Sequence, residues 1–227
     1  MELLHFTGQV WRPPYEASSQ LLQVTGCTHN KCKFCSLYHG TKFRLSPITE
    51  VEEDLKVIQS YQPKARRVFL TGANPFVLGY NRLLDLGLLI RKYLRHCESI
   101  GMFARISDIK PKTVEELKNL RHLGFDGISI GTESGDDNTL AVMNKGYTAN
   151  DIIEQCKKLE EANIRYNLVY LTGLAGKGKG ERNAINTANV FNQLHPFTVN
   201  FVSLTVFSES ELYEEIQHGS FVEATEH

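Results

Sequence analysis

Residues 66–72 read RRVFLTG, a short run of β-branched and aromatic character closed by glycine. Residues 81–96 follow with Leu83, Leu84, Leu86, Leu88, Leu89 and Ile90 clustered at helical spacing. A short apolar strand that ends on glycine and leads into an amphipathic helix is one βα unit. Outward from it the unit repeats. Upstream, an extended lead-in through Trp11, Pro13 and Pro14 precedes residues 18–26 (SSQLLQVTG), which read as one short strand. Residues 49–59 then carry Val51, Leu55 and Ile58 at helical spacing, with acidic residues in the first turn. Downstream, strand signals fall at 101–106, 127–132, 165–172 and 199–205. Between them lie a helix opened by Pro111 and Thr113, with Glu116 completing a capping box, and helices at 148–162 and 181–194. A short helix at 211–217 begins one more crossover. Six strand signals alternate with five helices at a spacing of about 35 residues, the pattern of a right-handed parallel βα series. Six units are too few for an eight-unit barrel, which leaves an open partial barrel or a doubly wound sheet. No linker, charge block or low-complexity stretch divides residues 1–227, so a single domain is expected, with residues 1–17 as the lead-in.

Composition narrows the function classes. A chain of 227 residues buries roughly 70–75% of its unfolded surface and needs no disulfide staples. Its 25 Lys and Arg against 26 Asp and Glu leave a formal charge of −1, which provides no general field for a polyanion and no clear nucleic-acid signal. The amino terminus has no basic segment followed by an apolar one, and no long uncharged apolar run occurs, so a cytosolic protein with no membrane partner is expected.

The unusual residues all follow strands: the Cys27 to Cys35 segment, Thr71-Gly72-Ala73-Asn74-Pro75, Arg105-Ile106-Ser107-Asp108, Gly131-Thr132-Glu133-Ser134-Gly135 and Leu171-Thr172-Gly173-Leu174-Ala175-Gly176. Parallel strands deliver their carboxyl ends to one rim, so these segments are expected to converge. Of five cysteines, Cys27, Cys32 and Cys35 form a CX4CX2C loop with Lys31, Lys33 and His29 interleaved, while Cys97 and Cys156 stand apart in segments read as helical. Clustered thiols in a reducing compartment point to metal. Three thiolates on a short loop suit three corners of a cubane iron–sulfur cluster, with one iron left without a protein ligand. Zinc is the rival, because the CX2C pair with His29 or His39 would make a Cys3His tetrahedron.

The segments GCTHNKCKFCSLY, WRPPYEASSQLLQVTG, ISIGTESGDDNTLAVMNKG and LVYLTGLAGKGKGERNAINTANVFNQLHP together resemble the radical S-adenosylmethionine superfamily. Within it they are similar to a bacterial subgroup near the methylthiotransferase and coproporphyrinogen-oxidase-like branch. The likeness runs from Trp11 to Phe221; the thiol spacing has one residue more than the superfamily's usual CX3CX2C. The resemblance implies an α/β fold of the partial (β/α)6 TIM type, with parallel strands and one open side. It implies a 4Fe-4S cluster on Cys27, Cys32 and Cys35, with S-adenosylmethionine chelating the fourth iron. Reductive cleavage to a 5'-deoxyadenosyl radical would then take hydrogen from an unknown substrate, with flavodoxin or ferredoxin as electron donor.

By the same resemblance Phe34 lies against the adenine, and Gly72, Ala73 and Asn74 occupy the place of a Gly-Gly-Glu segment that accepts the methionine ammonium, with Asn74 near the missing acid. Glu133 and Ser134 match residues that bind ribose or the methionine end; capping of the helix begun by Gly135-Asp136-Asp137 is an equal reading of Glu133. Gly173 and Leu174 match an adenine-contacting segment. Arg105 and Lys145 offer charge for the methionine carboxylate, with solvation at the surface as the other reading of Lys145. Residues 177–182 read as a solvated glycine-rich loop. Structural zinc binding by the same loop and a relative that holds the cluster without turnover remain the competing readings. Similar chains run on past residue 221 with a closing helical stretch, which is not found before Thr225-Glu226-His227.

Overall fold

The computed structural model describes residue 13 and residues 15–224; Trp11, Pro14 and the closing residues 225–227 lie outside the described residues. The chain alternates strands and helices in the order β1 (Ser19–Leu22), β2 (Val24–Thr25), β3 (Arg44–Leu45), α1 (Ile48–Tyr61), β4 (Arg67–Thr71), α2 (Tyr80–Tyr93), β5 (Ser99–Ala104), α3 (Ile106–Ile109), α4 (Val114–His122), β6 (Phe125–Glu133), α5 (Asp137–Val142), α6 (Ala149–Glu161), β7 (Tyr166–Thr172), α7 (Gly180–Phe191), β8 (Thr198–Ser203) and α8 (Glu211–Gln217). Six strands form one parallel sheet in the order β1-β4-β5-β6-β7-β8. The sheet does not close: β1 and β8 are its edges. This is the partial TIM-type α/β architecture, open on one side.

The helices bury one stripe each against the outer face of the sheet. Val51, Leu55 and Ile58 of α1, then Leu83, Leu86 and Ile90 of α2, and Ile152, Cys156 and Leu159 of α6 are all buried, each set on one helical face. They join Val68, Leu70, Ile100, Met102, Ile128, Ile130 and Leu168 of the strands in one core. Thr113 caps α4 by accepting from the Glu116 N–H at 3.2 Å, while the Glu116 carboxylate accepts from the Thr113 N–H at 2.8 Å. On β8 the outer cover stops: Phe201 is 72% exposed, although its ring meets Tyr170 edge-on at 5.6 Å. Among the described residues no helix is long and apolar enough to cross a membrane.

The first strand signal needs correction. Residues 18–26 make two strands, and only β1 joins the main sheet. After it the chain turns, and β2 pairs antiparallel with β3 through Val24↔Leu45 and Thr25↔Arg44. A Ser46 N–H donating to the Gln23 carbonyl at 2.9 Å continues the clasp. The thiol loop is therefore an excursion closed at its base. Cys97 also moves: it lies in the turn before β5 rather than in a helix, and it is buried like Cys156 of α6. The short helices α3 and α5 went unread because four and six residues are too few to show a period.

The clasp brings backbone against backbone at the end of β4. Gly72 has φ +111, and a Cβ there would stand 2.0 Å from the Val24 carbonyl oxygen. Gly72→Ala is expected to lower unfolding stability by about 3 kcal/mol, read as a fall in the denaturant midpoint at unchanged slope.

Candidate active site

A cavity of about 420 Å³ opens at the carboxyl ends of the strands. Its lining includes Cys27, Cys32 and Cys35 with Phe34 and Tyr38, the β4 edge at Gly72, Ala73 and Asn74, then Phe103 of β5 and Arg105 after it, Gly131 and Glu133 of β6, Lys145, Val169 and Val202. Phe103 stands edge-on to the fully buried Phe69 at 5.0 Å, which makes the inner wall aromatic.

The thiol loop is held from several sides. The Cys35 N–H donates to the Cys32 carbonyl at 3.1 Å, and Asn30, at φ +46, donates its N–H toward Cys27 Sγ at 3.4 Å and its amide to the Tyr38 carbonyl at 3.2 Å. The Lys33 N–H donates to the Met143 carbonyl at 3.2 Å, and its carbonyl accepts from the Leu212 N–H at 2.9 Å. The Lys33 ammonium pairs with Glu215. His29 Nε2 lies 2.6 Å from the Asn144 carbonyl and His39 Nδ1 lies 3.0 Å from the Glu209 carbonyl. The loop is thus stapled to the turn after α5 and to the start of α8.

Opposite the thiols is a buried charged pair. Lys145 is 4% exposed, and its Nζ donates to the Gly131 carbonyl at 2.9 Å and lies 3.6 Å from Glu133 Oε1. The solvated reading of Lys145 is overturned. Glu133 ends β6 at φ +64, a costly conformation for a residue with a Cβ. A Cβ on Gly131 would stand 2.6 Å from Glu133 Oε1, so glycine there leaves room for the carboxylate. Glu133 does not cap the next helix; Asp136 does, accepting from the Thr139 N–H at 2.9 Å. The Arg105 guanidinium donates to the Lys145 carbonyl and lies 5.6 Å from the Tyr147 ring centroid. Lys145 Nζ is 5.6 Å from the Phe34 ring centroid, a cation over the aromatic face. Burial pushes the Glu133 carboxyl up while Lys145 pulls it down. Burial opposes the Lys145 ammonium, yet Tyr147, Glu133 and Cys32 together hold it above its ordinary value. Burial also raises the Cys32 thiol, against the pull of Lys145 and Arg105.

A second polar layer lies behind the β4 edge. The Asn74 amide donates to both oxygens of Asp108, at 3.2 and 3.0 Å, and to Thr28 Oγ1 at 2.9 Å. Its Oδ1 accepts from the Thr28 N–H at 3.4 Å. Asp108 Oδ2 accepts from the Arg105 N–H at 2.8 Å. The buried Lys112 donates to the Phe76 and Asp108 carbonyls at 2.7 and 2.9 Å and sits 4.5 Å from the Phe76 ring centroid. Asp108 was placed at the rim by its segment but given no role, and Lys112 was missed; the one signal for the corner was Asp108 standing three residues after Arg105, the spacing of a reciprocal cap at the start of α3.

The remaining expected residues fall outside the cavity lining. Ser134 is fully buried and its Oγ donates to Asn183 at 2.5 Å, which ties β6 to α7. Leu174 packs with Met143, Leu171, Leu212 and Phe221 in a small separate core, and Gly173 turns beside it at φ +83. Of residues 177–182, the last three begin α7, where Arg182 lies 3.4 Å from Asp136.

Three thiols on one rim, faced by Lys145 and Arg105, fit an anionic thiolate cluster. Among the described residues no three His, Cys, Asp or Glu side chains are grouped so as to hold a single ion.

An open six-stranded βα sheet with a three-cysteine loop over its carboxyl rim defines a cofactor-binding barrel class. The Radical SAM superfamily model matches residues 22–189, and the chain belongs to that superfamily. Membership brings its cofactors, a 4Fe-4S cluster and S-adenosylmethionine. The heme chaperone HemW of Bacillus subtilis (strain 168) is 23% identical over 211 residues, which span 88% of this chain and 54% of HemW. Among solved structures, the radical S-adenosylmethionine methyltransferase TsrM of Kitasatospora setae, with tryptophan and a SAM analog bound, superposes at TM-score 0.70 and 17% identity, over 88% of this chain and 38% of TsrM. Methylornithine synthase superposes at 0.64 and 16%, over 86% of this chain and 55% of the synthase. The chain thus spans about half of its sequence relative and less than two-fifths of TsrM.

Burial lowers the Lys112 ammonium from 10.5 to about 8, with Asp108 and Glu116 pulling the other way. Between those values the unfolded chain binds more protons than the folded one, so this site makes stability rise with pH from about 8 to about 10. Lys112→Met is expected to flatten that rise, measured as urea midpoints of both proteins across the same pH range.

Proposed function

We propose that the chain is a radical S-adenosylmethionine enzyme in which Cys27, Cys32 and Cys35 hold three irons of the 4Fe-4S cluster, with the methionine end of the cosubstrate on the fourth. The observation that carries this reading is the placement of all three thiols on the same cavity as the buried Lys145–Glu133 pair and Arg105. When bound and reduced, these cofactors supply a 5'-deoxyadenosyl radical that abstracts hydrogen from a substrate.

The chain's own residues bind and orient. Arg105 and Lys145 provide positive charge for the methionine carboxylate, a role that suits a guanidinium and a buried ammonium held in place by carbonyls. Glu133 has a carboxylate able to accept from two vicinal ribose hydroxyls. The backbone of residues 72–74 offers carbonyls to the methionine ammonium, and Phe34 an aromatic face to the adenine. Phe103, Val169 and Val202 make the cavity wall apolar and keep water from a reactive centre. A low-potential donor such as flavodoxin or ferredoxin supplies the electron, and the substrate enters from the open side of the sheet.

Anaerobic reconstitution with iron and sulfide, followed by dithionite and S-adenosylmethionine, tests the reading. Brown protein with about four irons per chain that releases 5'-deoxyadenosine is expected. Alanine at Cys27, Cys32 or Cys35 should abolish both colour and product. A colourless protein holding one zinc after anaerobic purification, or undiminished product from Cys32→Ala, would sink it; an iron-loaded protein that releases no 5'-deoxyadenosine points to a binding role instead. Lys145→Met is expected to weaken S-adenosylmethionine binding at least about tenfold, read by isothermal titration of the reconstituted protein.

A further inference from the structure

We infer that Asp108 is a positioning residue for the cofactor cavity, acting through Asn74 to fix the β4 edge against the thiol loop. The inference rests on the reading of the cavity as the S-adenosylmethionine site. Asp108 is 3% exposed and lies one layer behind the lining. Its contacts span three separate segments: the Arg105 N–H after β5, the Asn74 amide after β4 and, through that amide, Thr28 beside the first thiol. A buried carboxylate is costly unless its oxygens are met by donors. Here one Asp108 oxygen meets the Arg105 N–H and both meet the Asn74 amide, which is itself 1% exposed.

A capping role alone does not account for this arrangement. Closing the first turn of α3 needs one oxygen to accept the Arg105 N–H, and a neutral amide would do that as well. Both oxygens also accept from the Asn74 amide, and a partner with acceptors alone dictates which way that amide points: Nδ2 toward Asp108 and Thr28 Oγ1, Oδ1 toward the Thr28 N–H. The amide orientation then bridges the β4 edge and the Cys27 end of the loop, two walls that must hold one ligand between them. Lys112 braces the same corner from behind, by tying the Phe76 carbonyl to the Asp108 carbonyl.

Direction of donation gives the test. Asp108→Asn keeps an oxygen for the Arg105 N–H but turns a second donor toward the Asn74 amide. Asn74→Asp sets two carboxylates face to face. The double exchange, Asn74→Asp with Asp108→Asn, restores a donor–acceptor match at the Oδ1 position with polarity reversed, removes one of the two facing carboxylates and leaves the Thr28 N–H an acceptor. The dissociation constant for S-adenosylmethionine is read from the change it causes in the electron paramagnetic resonance spectrum of the reduced cluster, alongside iron content and the thermal midpoint. Each single variant is expected to bind about tenfold more weakly, and the double variant within about threefold of wild type. Singles that bind like wild type overturn the inference, as does a double variant that binds no better than the singles. If the singles fail to fold, Thr28→Val on the exposed side of the bridge carries the test, with about a threefold loss expected and unchanged binding overturning the inference. A wild-type protein whose loaded cluster shows no spectral response to S-adenosylmethionine overturns the reading of the cavity and this inference with it, whereas a responsive wild type confines any failure to Asp108.

Discussion

Parallel pairing of six strands is the constraint from which the rest of the molecule follows. Each right-handed crossover returns the chain to the same starting edge, so every strand ends at one rim, and residues separated by more than a hundred positions meet there. Cys27 and Lys145 share a cavity because β1 and β6 both run out toward it. The helices occupy the outer face and leave the inner face to Phe103, Ser129 and Val169, which line the cavity, with Phe69 packed beneath Phe103.

The rim is expensive in folding terms. It holds Glu133 at positive φ, a buried Lys145 and a buried Asp108, each of which would destabilise an ordinary core. Each is compensated locally: the Gly131 carbonyl meets Lys145, the Arg105 N–H meets Asp108, and the Lys145 ammonium faces Glu133. The positive groups lie on the side facing the thiols, where the proposed iron–sulfur cluster would concentrate negative charge.

What could be read from the chain alone follows from the range of each signal. Strand runs of five or more residues and helical runs of seven or more carry a period, so β4 through β8 and the longer helices emerged, as did the capping box of α4. The CX4CX2C loop was legible because its spacing is local. Pairings across the fold were not: nothing in residues 18–26 announces that β1 stops at Leu22 so that Val24 and Thr25 can pair with Arg44 and Leu45. Lys145 looks like any surface lysine in a glycine turn until the Gly131 and Arg105 partners, 14 and 40 residues away, are placed beside it. Ser134 and Leu174 were drawn toward the site by neighbouring motifs, yet tertiary packing turns them to α7 and to the small core beside α8.

The β2–β3 clasp has a consequence for how metal is captured. Joining residues 24–25 to 44–45 closes the thiol loop into a ring running from Thr25 to Arg44 by backbone bonds alone. Loop closure is an entropic cost that grows only slowly with length but must be met before three ligands can act together. Here the polypeptide meets it during folding, independent of any ligand side chain. On the proposed reading the three thiols are therefore presented as a preassembled chelate, with their relative placement set by the fold before any iron arrives.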